Sequence, residues 1–178
     1  MLTIISGTNR KYSNTYKIAK EYQYLLLEKG IESGILSLED IDVLEYNAEF
    51  ERIENEILVP TTHFIIISPE YNGSFPGVLK MFIDSCRSRE IWYNKKALLT
   101  GVAAGRAGNL RGMDHLADVL NYLRITVHPN KLPLSVVNTL VGSDGKIVDI
   151  NTLNAINQQL DEFIFWGNLQ SKTLNFKL

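Results

Sequence analysis

The chain has 178 residues, of which 45% are hydrophobic and 21% charged, and a net charge of −2. That composition suits one water-soluble domain with one core, since a chain of this size can bury roughly 70% of its unfolded surface without disulfide or metal support. The mild charge and the lack of a long basic run argue against nucleic acid or an anionic membrane as the main partner. The single cysteine, Cys86, excludes an intramolecular disulfide and suits a reducing compartment. The apolar start, Met1 to Gly7, is too short for a signal peptide and carries no basic residue, and no run of about 18 apolar residues occurs. A cytoplasmic protein without a membrane partner is expected.

Leu2 to Ser6 reads as a short buried strand that stops at Gly7. Ser13 and Asn14 offer caps for a helix carrying Ile18, Ala19, Tyr22, Leu25 and Leu26 inside and stopping at Gly30. Ile35 to Leu38 is a weaker strand, and the acidic stretch from Glu39 to Asn47, with Asp40, Asp42 and Glu45, reads as a solvated loop. Phe50, Ile53 and Ile57 suggest a short helix ending before Pro60. His63 to Ser68 is the clearest buried strand. Pro76 is expected in the first turn of a helix that buries Leu79, Phe82 and Ile83. Lys96 to Ala103 is another strand. Leu110 to Leu123 reads as a helix with Leu110, Met113, Leu116, Ala117 and Leu120 inside. Leu134 to Val137 is the last strand candidate, because Pro129 and Pro133 interrupt what precedes it. Gly142 to Gly145 reads as a turn that could close a hairpin, and Ile150 to Phe165 as a C-terminal helix. Strands alternate with helices throughout. This predicts an α/β fold with a five-stranded parallel sheet between two helical layers, and one domain over residues 1–178.

Parallel sheets of this kind bind ligands beyond the carboxyl ends of their strands. Three loops leave strands there. The first, Gly7-Thr8-Asn9-Arg10-Lys11-Tyr12-Ser13-Asn14-Thr15, runs into a helix N-terminus, where free amides and the helix dipole attract an anion. Thr8, Ser13, Asn14 and Thr15 add short donors, and Arg10 adds a charge. Ser13 and Asn14 could equally be simple caps. The loop lacks both the Gly-Lys-Ser/Thr ending of a nucleotide-triphosphate P-loop and a Gly-x-Gly-x-x-Gly dinucleotide fingerprint. The second loop, Pro69-Glu70-Tyr71-Asn72-Gly73-Ser74-Phe75-Pro76-Gly77, carries many specific residues for a plain strand-to-helix turn. The third is Ala103-Ala104-Gly105-Arg106-Ala107-Gly108-Asn109.

Gly7-Thr8-Asn9-Arg10 with Ser13 resembles the Gly-Ser-x-Arg…Ser phosphate loop of the NADPH-dependent FMN reductases. Pro69 to Asp84 closely resembles that family's Pro-Glu-Tyr-Asn-x-Ser-x-Pro-Gly-x-Leu-Lys-x-x-Ile-Asp segment. The family includes azo, quinone and chromate reductases, and the resemblance extends from Leu2 to about Leu123. It implies a flavodoxin-like three-layer sandwich that binds FMN through Gly7, Thr8, Asn9, Arg10, Ser13, Asn14, Thr15, Pro69, Glu70, Tyr71, Asn72, Gly73 and Ser74. The third loop departs from the family's Ser-Pro-Gly-Gly-like run, yet Ala104, Gly105 and Arg106 are still expected to line the cofactor. Arg106 could meet a dinucleotide phosphate, a partner subunit or only water, and Glu70 could orient its loop or reach a second subunit.

The resemblance further implies hydride transfer from NADPH or NADH to bound FMN and on to a small acceptor (flavin, quinone, azo compound or metal oxyanion) in a ping-pong scheme, in a homodimer or homotetramer. No side-chain nucleophile is expected. The spacing of His63, His115 and His128 matches no metal motif, and Cys86 reads as packed rather than catalytic. Trp92, Tyr93 and Trp166 are left between core and interface. A flavodoxin-like electron carrier and a flavin-binding regulatory module remain as alternatives. A carrier tends to be strongly acidic, which −2 does not favour.

Overall fold

The computed structural model describes residues 1–170 except Asp40 and Ser143. The first strand, β1 (Leu2–Ser6), is buried along its whole length. Ser13 caps α1 (Asn14–Glu28), its Oγ accepting the Tyr16 amide, and Gly30 ends the turn at φ 74°. There follow β2 (Gly34–Ser37), α2 (Ala48–Ile53), a π-helical turn over Glu54–Leu58, and β3 (His63–Pro69). Next come α3 (Gly77–Ser85), the single turn α4 (Ser88–Ile91), β4 (Lys96–Val102), α5 (Leu110–Tyr122), β5 (Thr126–Val127), β6 (Leu132–Leu134) and α6 (Ile150–Gly167). Pro76 sits at the N-cap of α3, just ahead of the first turn.

All strand pairs are parallel, in the order β2-β1-β3-β4-β5, with β6 also on β4. This is the flavodoxin-like order, whose reversal between β1 and β3 opens a crevice at the carboxyl ends of those strands. Alternation along β3 divides the core. Ile65 and Ile67 face α1 and α6, while Phe64 and Ile66 face α2, α3 and α5. Trp92 is fully buried in the second layer and Trp166 packs against the first, so both serve the core. Cys86 is a buried free thiol whose pKa is driven upward by burial, which leaves it unreactive.

Two expectations are corrected. Leu110 opens α5 but is 50% exposed, because the buried stripe begins with Gly112 and Met113. The last strand is not Leu134 to Val137. It consists of two short pieces, Thr126–Val127 beside Lys96–Ala97 and Leu132–Leu134 beside Thr100–Val102. Pro129 lies in the excursion between them. Pro133 is tolerated because β6 pairs only with β4 and leaves an open edge, where a missing N–H costs nothing. Val136 then turns the chain at φ 51°, so Val137 starts a 3₁₀ turn (Val137–Thr139) instead of extending the strand. The expected turn at Gly142–Gly145 closes an isolated antiparallel bridge between Val141 and Ile147; its Ser143, like Asp40 of the acidic loop, lies outside the described residues.

α1 is held firmly, which matters because its N-terminus fronts the crevice. The buried Tyr22 hydroxyl meets Thr100 Oγ1 at 2.8 Å and donates to Gln159 Oε1 at 2.7 Å, and Gln159 Nε2 donates to the carbonyls of Leu99 and Asn130. One polar network thus fastens α1 to β4 and α6. At the opposite end of the sheet, the rings of His63 and His128 stand edge-on to Phe163 at 5.9 and 6.0 Å. Burial lowers the pKa of both. In the unfolded chain they titrate near 6.5. Below that pH the unfolded state takes up protons that the folded state resists, so stability present above about 6.5 is lost as pH falls through the folded values. A urea midpoint lower at pH 5.5 than at pH 7.5, with the difference reduced in His128→Asn, is expected; a flat profile over that range would refute it. Among the described residues, no helix is long and apolar enough to cross a membrane.

Candidate FMN site

The three loops predicted from the sequence meet at the carboxyl ends of β1, β3 and β4. The second is built on an Asn-Gly turn. Tyr71 and Ser74 exchange both backbone hydrogen bonds, and Asn72 and Gly73 between them have φ 53° and 77°. Positive φ at both central positions is what a type I′ turn needs, and Asn-Gly supplies it with least strain. A Cβ on Gly73 would also approach the Arg111 guanidinium to 3.0 Å.

Side chains lock the loops together. Thr8 Oγ1 and Tyr71 Oη are 2.6 Å apart, joining the first loop to the second. The Arg10 guanidinium lies over the Tyr71 ring at 4.1 Å from its centroid. Glu70 Oε2 accepts the Asn109 amide at 3.1 Å, and Asn109 Nδ2 donates to the carbonyls of Ser68 and Pro69 at 2.9 and 3.1 Å. Glu70 thus ties its own loop to the third one through Asn109. Asn109 is fully buried with φ 62°, a conformation that asparagine tolerates better than most side chains. Gly101 lets this latch lie flat, since a Cβ there would reach the Gly108 carbonyl oxygen at 2.1 Å.

A cavity of about 340 Å³ opens between the loops. Of the predicted residues, Arg10, Ser13, Asn14, Thr15, Pro69, Glu70, Tyr71 and Ala104 line it. Gly7, Thr8, Asn9, Asn72, Gly73, Ser74, Gly105 and Arg106 do not. The Gly7 amide donates to the Ile67 carbonyl, and Thr8 braces Tyr71. Ser74 Oγ pairs with His115 Nδ1 at 2.9 Å. The carbonyls of Gly105 and Arg106 accept from the Val136 amide and the Ser135 hydroxyl, which fixes the backbone of the third loop. Lys11, Tyr12 and Val137 also line the cavity and were not singled out in the sequence. Lys11 and Tyr12 stood inside the first loop, whereas nothing in the local pattern pointed to Val137.

Val136 explains how Val137 arrives there. Its left-handed backbone is costly for a β-branched residue. The Val136 amide donates to Gly105 and the Val137 amide to Ala103, both at the third loop, while Asn138 Oδ1 accepts from Asn14 Nδ2 in the first. Strain at one residue thus closes the back of the crevice. Val136→Gly is expected to stabilise the fold by about 0.5–1 kcal/mol, the relieved strain exceeding the added backbone entropy. Thermal unfolding checks this, and a lower Tm would contradict it.

The donor set fits FMN. Arg10, Lys11, Ser13 and the open first turn of α1 line the cavity and suit a phosphate. Its sole carboxylate, Glu70, is engaged with Asn109. Pro69, Tyr71, Ala103, Ala104 and Val137 add flat or apolar lining, as a ring system requires. The cavity is also within the size range of small-molecule sites.

Comparison with known proteins agrees with this geometry. Residues 1–138 match the family model of the NADPH-dependent FMN reductases. An NAD(P)H-dependent FMN reductase of Pseudomonas aeruginosa is 33% identical over 140 residues, covering 75% of this chain and 74% of its own. A 2-hydroxy-1,4-benzoquinone reductase of a Burkholderia species is 24% identical over 129 residues, covering 68% of this chain and 70% of its own. Among solved structures, the flavoenzyme NAD(P)H:(acceptor) oxidoreductase FerB of Paracoccus denitrificans superposes with a TM-score of 0.80 at 22% identity, over 93% of this chain and 95% of its own, which confirms the fold. With the family model matching most of the chain and a relative above 30% identity across three quarters of it, this protein belongs to the NADPH-dependent FMN reductase family.

Proposed function

We propose that the chain is an FMN-dependent NAD(P)H oxidoreductase that works by alternate binding of donor and acceptor at the crevice of the three loops. The observation that carries this reading is the joined crevice itself: a cationic, amide-rich helix end and an aromatic wall, held together by the Thr8–Tyr71 and Glu70–Asn109 hydrogen bonds. When bound, the flavin supplies the two-electron chemistry, taking hydride from the nicotinamide and giving electrons to the acceptor. The protein binds and orients. Arg10, Lys11 and the α1 amides would hold the phosphate, and Tyr71 and Ala104 would border the ring. Backbone N–H groups of the third loop would meet its polar edge, where negative charge grows on reduction. Gly7, Thr8, Asn72, Gly73, Ser74, Gly105 and Arg106 support these groups from outside the cavity, where Asn9 also lies. No side-chain nucleophile takes part. The named relatives act on flavin and quinone, and the acceptor here belongs to the same class of small, flat oxidants.

Anaerobic mixing of FMN-loaded protein with NADPH, and separately NADH, tests the reading. Rapid bleaching of the yellow flavin by either donor is expected. FMN that binds without bleaching would instead favour the electron carrier or regulatory module. Parallel lines in initial-rate plots against donor and acceptor would support the ping-pong order.

We further propose one domain over residues 1–178 that works in the cytoplasm, where the free thiol of Cys86 is stable. The proposal also includes self-association. α3 and α5, the helices that follow the second and third loops, leave Met81, Leu110 and Tyr122 exposed, and these suit a contact with a second copy. A fully active monomer in sedimentation at micromolar concentration would refute the dimer and leave the flavin site standing.

A further inference from the structure

A second cavity, about 690 Å³, lies along α1, between the end of β2 and residues 144–146. It shares Tyr12 and Ser13 with the loop cavity, so the two are neighbours across one turn of chain. Three tyrosines (Tyr12, Tyr16, Tyr24) and three lysines (Lys17, Lys20, Lys146) line it. The carboxylates there are Glu21, Glu39 and Asp144. Glu21 accepts a backbone hydrogen bond from Ile147 and lies near Lys146, and Asp144 accepts the Lys146 amide. Lys17 and Lys20 have no ion-pair partner among the described residues. They stand three positions apart, as side-chain neighbours on one helix face do, and the Lys20 ammonium lies 5.1 Å over the Tyr16 ring.

Tyr12 is an independent sign of a ligand. Its backbone has φ 56° and the residue is 88% exposed, at the rim common to both cavities. A left-handed backbone that holds an aromatic ring in water costs folding energy without packing in return, which is the pattern of a residue kept for binding.

We propose that this cavity holds the adenosine 2′-phosphate end of NADPH while the nicotinamide reaches the loop crevice; the assignment rests on the reductase reading above. Tyrosine faces stack a purine. The two unpaired lysines meet the phosphate as point charges, and Glu39 offers acceptors to ribose hydroxyls. Lys17 and Lys20 then set coenzyme preference, since NADH lacks the group they recognise.

An adenine nucleotide could also come from FAD, and the probes separate the two. FMN-loaded protein is titrated calorimetrically with 2′,5′-ADP and with 5′-AMP. Binding of 2′,5′-ADP about fivefold or more tighter than 5′-AMP is expected, and the double variant Lys17→Glu/Lys20→Glu should weaken it by about tenfold or more. Retained quenching of FMN fluorescence shows that the variant is folded. Preference for 5′-AMP, equal affinities, or unchanged 2′,5′-ADP affinity in the variant would overturn the proposal. These titrations involve no electron transfer. They stand apart from the reductase reading, which fails only if neither coenzyme bleaches the flavin.

Discussion

Replacing Arg10 with alanine is expected to raise the Kd for FMN roughly 10- to 100-fold, the loss of about 1.5–3 kcal/mol of charge-assisted contact. Arg10 lines the cavity beside the open amides of α1, and its guanidinium covers the ring of Tyr71. The substitution therefore removes a phosphate donor and also a brace on the aromatic wall. Thr8 would still hold the Tyr71 hydroxyl, so the loop itself should persist. Arg10→Lys should fall between, because it keeps the charge but not the planar stack or the forked donors. Fluorescence titration of apoprotein with FMN measures all three. An unchanged Kd in Arg10→Ala would remove Arg10 from the site while leaving the α1 N-terminus and Lys11 as its phosphate end.

Glu54→Gln should cost stability more than function. Glu54 is fully buried in the π-helical turn after α2 and serves three partners. It accepts the Arg87 amide at 2.7 Å, Arg87 Nε at 2.6 Å and the Tyr46 hydroxyl at 2.6 Å. An amide can replace only part of this set, and its own N–H groups would face donors. The Arg87 side chain is 40% exposed and can regain water, so the loss belongs at the lower end for a broken buried pair, about 3 kcal/mol. For a domain of this size that is roughly 6–12 °C in Tm. The cluster lies away from the loop cavity, so the FMN affinity of the folded variant should stay near that of the parent. A Tm shift under about 2 °C would show that the buried carboxylate is dispensable.

The sequence by itself determined the alternation of strands and helices as far as the last strand, and the three loops that leave the strands. Buried parallel strands such as His63 to Ser68 are continuous apolar runs that need no distant partner to be recognised. Likewise, Ser13 caps α1 through a contact three residues away, and Asn72-Gly73 makes its turn between neighbours. Interactions this short leave their mark in local pattern. Only the tertiary structure decided the rest. The final strand was misplaced because its segments pair across to β4, and that edge accepts Pro133 where an interior strand would reject it. Leu110 read as a core residue by spacing alone, although the buried face of its helix starts two residues later. The role of Glu70 depended on Asn109, 39 residues away, and the brace on Tyr71 on Thr8, 63 residues away. Val137 entered the site through the turn at Val136, and the lysines of α1 came to line a cavity only when β2 and residues 144–146 closed around them. Such placements follow from how the elements pack, because residues far apart in the chain become neighbours only through the sheet that joins them.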